Sequence, residues 1–120
     1  MLQIGDKAYT LSRNIRVITS ISESASDANE LMYGLGEGPS IWREYELTLT
    51  GEHGDYPKAQ FNIGDEVTVD GKAYRIEAIY LQSRDIRWVY RYRLKQPSGS
   101  YLPIARDEHE IIEQTNYTLF

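Results

Sequence analysis

Alternation of apolar and polar residues is the dominant pattern in this chain, and it predicts strands. The segment DEVTVDGKAYRIEAI, residues 65–79, alternates on both sides of Asp70-Gly71. An Asp-Gly pair between two alternating runs is a strong signal of a hairpin, because a type I′ turn needs positive φ at both of its central residues. This segment therefore predicts two antiparallel strands joined by a two-residue turn.

The segment RWVYRYRLK, residues 87–95, alternates most clearly and predicts a strand with two different faces. We expect the aromatic face to pack in the core and the basic face to lie at the surface. The aromatic face carries Trp88, Tyr90, Tyr92 and Leu94. The basic face carries Arg87, Val89, Arg91, Arg93 and Lys95.

The first half of the chain follows the same pattern less regularly. Strands are predicted over 15–21, 31–37 and 41–50. Residues 51–60 hold two Gly and a Pro without an apolar pattern, so this segment is the best candidate for a linker. No segment carries an apolar stripe at helical spacing, and we therefore predict no helix.

Two copies of Ile-Gly-Asp, at 4–6 and 63–65, indicate a repeat. Self-similarity at one spacing usually reflects a duplicated unit, and the alternative is chance likeness between strand patterns. In each copy we expect the Gly to supply an unusual backbone conformation and the Asp to cap a turn. The alternative makes Asp6 and Asp65 ligands or general acids. The same spacing matches 15–17 with 74–76 and 33–35 with 92–94.

The order x-Gly-Asp-x-Val-x-Val, Tyr-x-Ile-x-x-Ile, Tyr-x-Leu and Glu-x-Ile resembles the SH3-like barrel, in the broad sense that includes KOW-type and Tudor-type domains. The resemblance covers 61–113 well and 2–49 more loosely. It implies an all-β fold of two tandem SH3-like small barrels packed against each other. The implied domains are 1–52 and 61–120, with a linker at 53–60. The chain is also similar to short uncharacterised proteins of filamentous cyanobacteria, some labelled as related to heterocyst differentiation; this likeness implies no site residue.

Composition restricts the possible functions. The chain has 120 residues, a net charge of -5, no Cys and 10 Tyr. The absence of Cys excludes disulfides and thiolate metal sites, and mildly favours the cytoplasm. No apolar run is long enough to span a bilayer, so no membrane contact is expected. Neither a nucleophile motif nor a Gly-rich phosphate loop occurs, and we predict a protein that is not an enzyme and needs no cofactor.

Two groups of residues are candidates for partner binding. Arg91 and Arg93 form part of a basic stripe that could bind phosphates or an acidic peptide. The alternative is cross-strand pairing with Glu77, Asp107, Glu108 or Glu110. Exposed aromatic rings could instead form a shallow groove for a peptide, as in SH3 domains, or a cage for a methylated cation. The aromatic candidates are Trp42, Tyr45 and Tyr101, and their alternative role is packing.

These candidates predict a protein-interaction or regulatory adaptor module of the bacterial cytoplasm, with a protein or peptide partner. The alternative is a nucleic-acid-associated regulator that binds through the basic strand face. The net charge of -5 argues against the alternative, because nucleic-acid phosphates favour basic surfaces. The sequence does not identify the partner or the oligomeric state.

Residues 105–114 combine carboxylates with His109 and could in principle hold a divalent metal. Adjacent Ile111 and Ile112 do not form a helical stripe, so we predict a strand or a single turn here. Neighbours in a strand point to opposite faces and cannot all reach one ion. We therefore predict no metal site.

Overall fold

The computed structural model describes residues 2–10, 14–24, 30–36, 41–96 and 105–117. Strands dominate, and every described strand pair within the two units is antiparallel, which confirms the predicted all-β class. The chain forms two compact units, residues 1–58 and 59–120. Two closed barrels, and the predicted division at 1–52, 53–60 and 61–120, stay predictions.

The first unit is a five-stranded sheet with one turn of 3₁₀ helix, η1. Its elements are β1 Asp6–Tyr9, β2 Ile15–Glu23, β3 Leu31–Leu35, β4 Ile41–Arg43, η1 Glu44–Glu46 and β5 Thr48–His53. The strand order is β5-β1-β2-β3-β4, so the last strand of the unit lies beside the first. The β5 strand reaches His53, inside the segment proposed as a linker, and the Gly54 N–H donates to the Gly5 carbonyl at 2.8 Å.

The second unit is a four-stranded sheet followed by a helix. Its elements are β6 Glu66–Val69, β7 Lys72–Arg84, β8 Arg87–Lys95, β9 Arg106–Asp107 and α1 Glu108–Tyr117. The strand order is β6-β7-β8-β9. The α1 helix packs against β6 and β8. The predicted type I′ hairpin is confirmed, because Asp70 and Gly71 join β6 to β7 with φ of 53° and 77°.

Alternating residues of the strands build the core of each unit. The predicted aromatic face of β8 is buried at Tyr90, Tyr92 and Leu94. Packing was also predicted for Trp88, but its side chain is 43% exposed. The reason is the length of the hairpin: β7 and β8 continue to Arg84 and Arg87, and the residues of this outer part are mostly exposed.

Two predictions of local structure are wrong. The single strand predicted over 41–50 is divided into β4, η1 and β5. Glu46 Oε1 accepts the Arg43 N–H at 2.9 Å, and the turn buries Leu47. Residues 108–117 form a helix where we predicted a strand or a single turn. Carboxylates in the first turn favour this helix through its dipole, and burial of Ile111 holds it on the sheet.

The two Ile-Gly-Asp segments have the same backbone geometry. Gly5 and Gly64 adopt φ of 97° and 92°, a region that favours glycine. The Gly5 N–H donates to the Ile18 carbonyl and the Gly64 N–H to the Ile76 carbonyl, both at 2.8 Å. These hydrogen bonds make Ile18 the structural counterpart of Ile76. The sequence repeat pairs Ile76 with Val17 instead, one residue earlier.

The two aspartates cap the same turn. Asp6 Oδ2 accepts the Gln3 N–H at 2.9 Å, and Asp65 Oδ2 accepts the Asn62 N–H at 2.8 Å. The predicted turn-capping role of both residues is therefore confirmed. A register shift also follows the matched isoleucine in each unit, on β2 and on β7. The similar elements and turns support a duplicated unit, which stays a prediction.

Candidate functional site

Tyr45 is the most exposed aromatic residue that the described segments contain. It lies on η1, and 78% of its surface is accessible. Ile41, at the start of β4, is also exposed. Trp42 lies opposite Tyr33 in the β3–β4 pair and is half-buried, so it faces the side of the sheet on which Tyr33 is buried. Of the two described aromatic candidates, Tyr45 therefore offers the more accessible ring.

Charged groups surround the Tyr45 ring. The Arg43 guanidinium lies 3.2 Å from Glu30, and a hydrogen bond to the Tyr45 side chain, followed by the Glu30 charge, raises the pKa of Arg43. The Glu44 carboxylate is exposed and has no ion-pair or hydrogen-bond partner in the described part of the chain. Tyr45 is thus held on a hydrogen-bonded turn, next to a negative charge that has no ion-pair partner among the described residues. We call Ile41, Glu44 and Tyr45 the Tyr45 patch.

Arg91 is paired with an acidic residue of β9. Arg91 Nε donates to Asp107 Oδ1 at 3.0 Å, and Arg84 Nη1 donates to Asp107 Oδ2 at 2.7 Å. Arg91 also donates to the Ala105 carbonyl at 2.5 Å. The Arg84 hydrogen bond, together with the charges of both arginines, lowers the pKa of Asp107, although burial acts in the opposite direction. Arg91 is therefore engaged in stabilising the β8–β9 pair.

Arg93 is paired with a buried acidic residue. Its Nη2 donates to Glu77 Oε1 at 3.1 Å, and Glu77 lies at the register shift between Ile76 and Ala78. Only 7% of the Glu77 side chain is exposed. The alternative of internal pairing thus describes both Arg91 and Arg93 in the structure. A role for either residue in partner binding stays a prediction.

The predicted binding residues fall in different parts of the chain. Trp42 and Tyr45 belong to the first unit, and Arg91 and Arg93 belong to the second. Tyr101 lies outside the described residues. A single surface formed by all five residues therefore stays a prediction.

Three possible metal ligands do converge at the start of α1. Ligand atoms of Asp107, His109 and Glu110 lie within 4.8 Å of one another. In a strand these three residues would not converge, but this segment begins a helix. However, Asp107 already bonds two arginines, and Glu110 lies 3.6 Å from Arg106. These carboxylates neutralise arginine side chains, and no metal site is proposed.

Sequence reasoning missed the role of Glu108. Its Oε2 accepts the Tyr92 hydroxyl at 2.5 Å and the Gln60 N–H at 3.0 Å. Burial, and then the hydrogen bond to Glu108, raises the pKa of Tyr92. Burial also raises the pKa of Tyr90 to about 12, with a smaller contribution from the Glu108 charge. A buried tyrosine hydroxyl usually needs a partner, and that requirement was the only signal available in the sequence.

Sequence reasoning also missed the end of the β7–β8 hairpin. Asp85, with φ of 57°, and Ile86 connect the two strands. Ile86 is 99% exposed, and Arg87 and Trp88 follow it on β8. The Arg87 guanidinium has no ion-pair partner among the residues that the structure describes. We call Ile86, Arg87 and Trp88 the hairpin tip.

Comparison of the chain with protein-family models, with curated proteins and with solved structures finds no match. Within the described residues, no helix combines the length and the apolarity that crossing a membrane requires.

Proposed function

We propose that this protein is a non-enzymatic interaction module of the bacterial cytoplasm, in which two SH3-like barrels bind a protein partner. The order β5-β1-β2-β3-β4 supports an SH3-like first unit, because the last strand returns beside the first. The second unit repeats the turn geometry, but α1 follows β9 where the first unit has η1 and β5. Fold alone does not define function, so the proposal depends on the Tyr45 patch.

The observation that supports partner binding most directly is the exposure of Tyr45. An aromatic ring that is 78% accessible gives the fold little burial energy. Its backbone lies in η1, where Glu46 accepts the Arg43 N–H, and its side chain bonds Arg43. Tyrosine is enriched among the residues that dominate the binding energy of protein–protein interfaces. We propose that a partner covers the Tyr45 ring, with Trp42 supporting it from β4.

Arg91 and Arg93 have a secondary part in this proposal. Their ion pairs with Asp107 and Glu77 occupy donors that phosphates would otherwise use. This pairing, with a net charge of -5, weighs against the alternative of a nucleic-acid-associated regulator. Contact of a peptide partner with Arg91, Arg93 or Tyr101 stays a prediction.

The test is affinity capture from a native cell extract at low and high salt, with wild-type protein, Tyr45→Ala and the control Ile15→Ala as baits. Ile15 is an exposed apolar residue of the same unit, on β2. We expect wild type and the control to retain the same partner at both salt concentrations, and Tyr45→Ala to lose it. Equal retention by Tyr45→Ala would overturn the proposal. If nucleic acid is captured with the partner at low salt and both are lost at high salt, the result would support a nucleic-acid-associated regulator instead.

A further inference from the structure

The hairpin tip presents an apolar residue where folding does not require one. Ile86 occupies the second position of a two-residue turn and is 99% exposed. Turns of this kind usually contain Gly, Asn or Asp, which tolerate the backbone conformation and interact well with water. Trp88, two residues later, leaves a further 43% of its surface accessible. The hairpin tip therefore combines exposed apolar surface with a backbone that strand pairing holds in place.

The hairpin tip also carries a positive charge, at Arg87. Arg84, at the end of β7, bonds Asp107, whereas Arg87 has no ion-pair partner in the described segments. Arginine and tryptophan are enriched among residues that dominate binding energy. A surface that receives the hairpin tip should offer an apolar contact for Ile86 and a carboxylate for Arg87.

The Tyr45 patch has both properties. Tyr45 and Ile86 are the two most exposed large apolar side chains of the described residues. Each lies next to a charge that has no ion-pair partner within the described residues, negative at Glu44 and positive at Arg87. The overall charge of -5 would oppose association of copies in general, so a specific attraction of this kind is needed to bring two copies together.

We propose that the hairpin tip of one copy binds the Tyr45 patch of a second copy of this chain, with Ile86 against the Tyr45 ring and Arg87 beside the Glu44 carboxylate. The inference rests on the proposed function, because it assigns an occupant to the same patch. The contact joins two different surfaces, so the first copy keeps a free Tyr45 patch and the second copy keeps a free hairpin tip. Such head-to-tail contacts form rings when the rotation closes and open chains when it does not.

The test is sedimentation velocity of the purified full chain over a wide range of concentration. The variants are Arg87→Glu, Glu44→Arg and the double variant that carries both changes. Both substituted side chains are exposed, so folding should be retained, and circular dichroism checks this. The control is Lys72→Glu, which makes the same change in net charge as Arg87→Glu at the exposed β6–β7 turn.

We expect wild type and the Lys72→Glu control to form oligomers as concentration rises. Each single reversal at the contact should weaken association by about tenfold, because an attractive pair becomes a repulsive one. The double variant should recover most of the wild-type association. Sedimentation of wild type as a monomer at every concentration would overturn the inference, and so would a double variant as weak as the single ones.

The two proposals fail in distinguishable ways. A monomeric wild type would remove the second copy as the occupant, but loss of a captured partner by Tyr45→Ala would still support the proposed function. Equal capture by wild type and Tyr45→Ala would remove the proposed function. In that case, if the Tyr45→Ala variant still forms oligomers in sedimentation velocity, the Tyr45 patch is also excluded as the contact between copies.

Discussion

The Tyr92 hydroxyl donates a 2.5 Å hydrogen bond to Oε2 of Glu108. Tyr92 is fully buried on β8, and Glu108 is the first residue of α1. The same carboxylate oxygen accepts the Gln60 N–H near the start of the second unit. Phe61 packs edge-on against the Tyr92 ring at a centroid distance of 5.5 Å. One buried tyrosine thus connects the beginning, the middle and the last helix of this unit.

Removing the Tyr92 hydroxyl should destabilise the second unit. Tyr92→Phe keeps the ring but leaves the Glu108 carboxylate without its shortest hydrogen bond. We expect the free energy of unfolding to fall by about 1–3 kcal/mol, the usual range for a buried hydrogen bond to a charged group. Urea denaturation measures this change. Tyr9→Phe, at an exposed position, should change stability by less than about 0.5 kcal/mol, and equal effects of the two variants would contradict the assigned role.

Stability should decrease at alkaline pH because of the buried tyrosines. Burial raises the pKa of Tyr90 from 10.0 to about 12, so the folded state keeps a proton that the unfolded state loses. This stabilising contribution is complete below pH 10 and is lost as the pH rises from 10 towards 12. Urea midpoints measured across that window should fall with pH. The urea midpoint of Tyr90→Phe should fall less steeply with pH than that of wild type. The same slope in both proteins would show that Tyr90 does not titrate as described.

Asp107 should contribute to stability at neutral pH but not in acid. Its pKa lies below the ordinary value of 3.8, chiefly because of the Arg84 hydrogen bond. The contribution is therefore present above pH 3.8 and is lost as the pH falls through the folded pKa. Asp107→Asn should reduce the free energy of unfolding by about 1–3 kcal/mol at neutral pH. The control Asp55→Asn, at an exposed site, should have little effect on the free energy of unfolding. Equal stability of the two variants would contradict the pairing of Asp107 with the arginines.

The two matched glycines should differ in their tolerance of a side chain. An added Cβ at Gly64 meets nothing within 4 Å, so Gly64→Ala carries only backbone strain, about 1 kcal/mol. At Gly5 the same Cβ would lie 2.8 Å from two ring atoms of His53. Gly5→Ala should therefore be the more destabilising variant. Calorimetric unfolding measures both, and a Gly64→Ala protein that is less stable than Gly5→Ala would contradict the comparison.

The sequence predicted elements well where the signal is local. The Asp70-Gly71 hairpin follows from the φ values that its turn requires, and the β8 strand follows from strict alternation over 87–95. The α1 helix was missed because its support is not local. Burial of Ile111 against the sheet and the hydrogen bond between Glu108 and Tyr92 hold it in place, and neither produces a helical stripe in the sequence.

The candidate site could be predicted only in part. Tyr45 was one of three aromatic candidates in the sequence, with packing as the alternative, and the structure gives it high exposure. Pairing of the arginines was an open alternative, with four acidic candidates. The choice of Glu77 for Arg93 depends on the register shift after Ile76, and sequence alternation does not reveal such a shift. Exposure of Ile86 was missed because the length of the β7–β8 hairpin beyond the core was not apparent.

The most direct test of the Tyr45 patch is the amount of partner that Tyr45→Ala retains at high salt, relative to wild type, by quantitative mass spectrometry of the captured proteins. We expect a loss of about tenfold or more, as for an aromatic residue central to an interface. The control Ile15→Ala should retain the wild-type amount. A Tyr45→Ala protein that is folded and retains as much partner as wild type would contradict the proposal that this ring binds a protein.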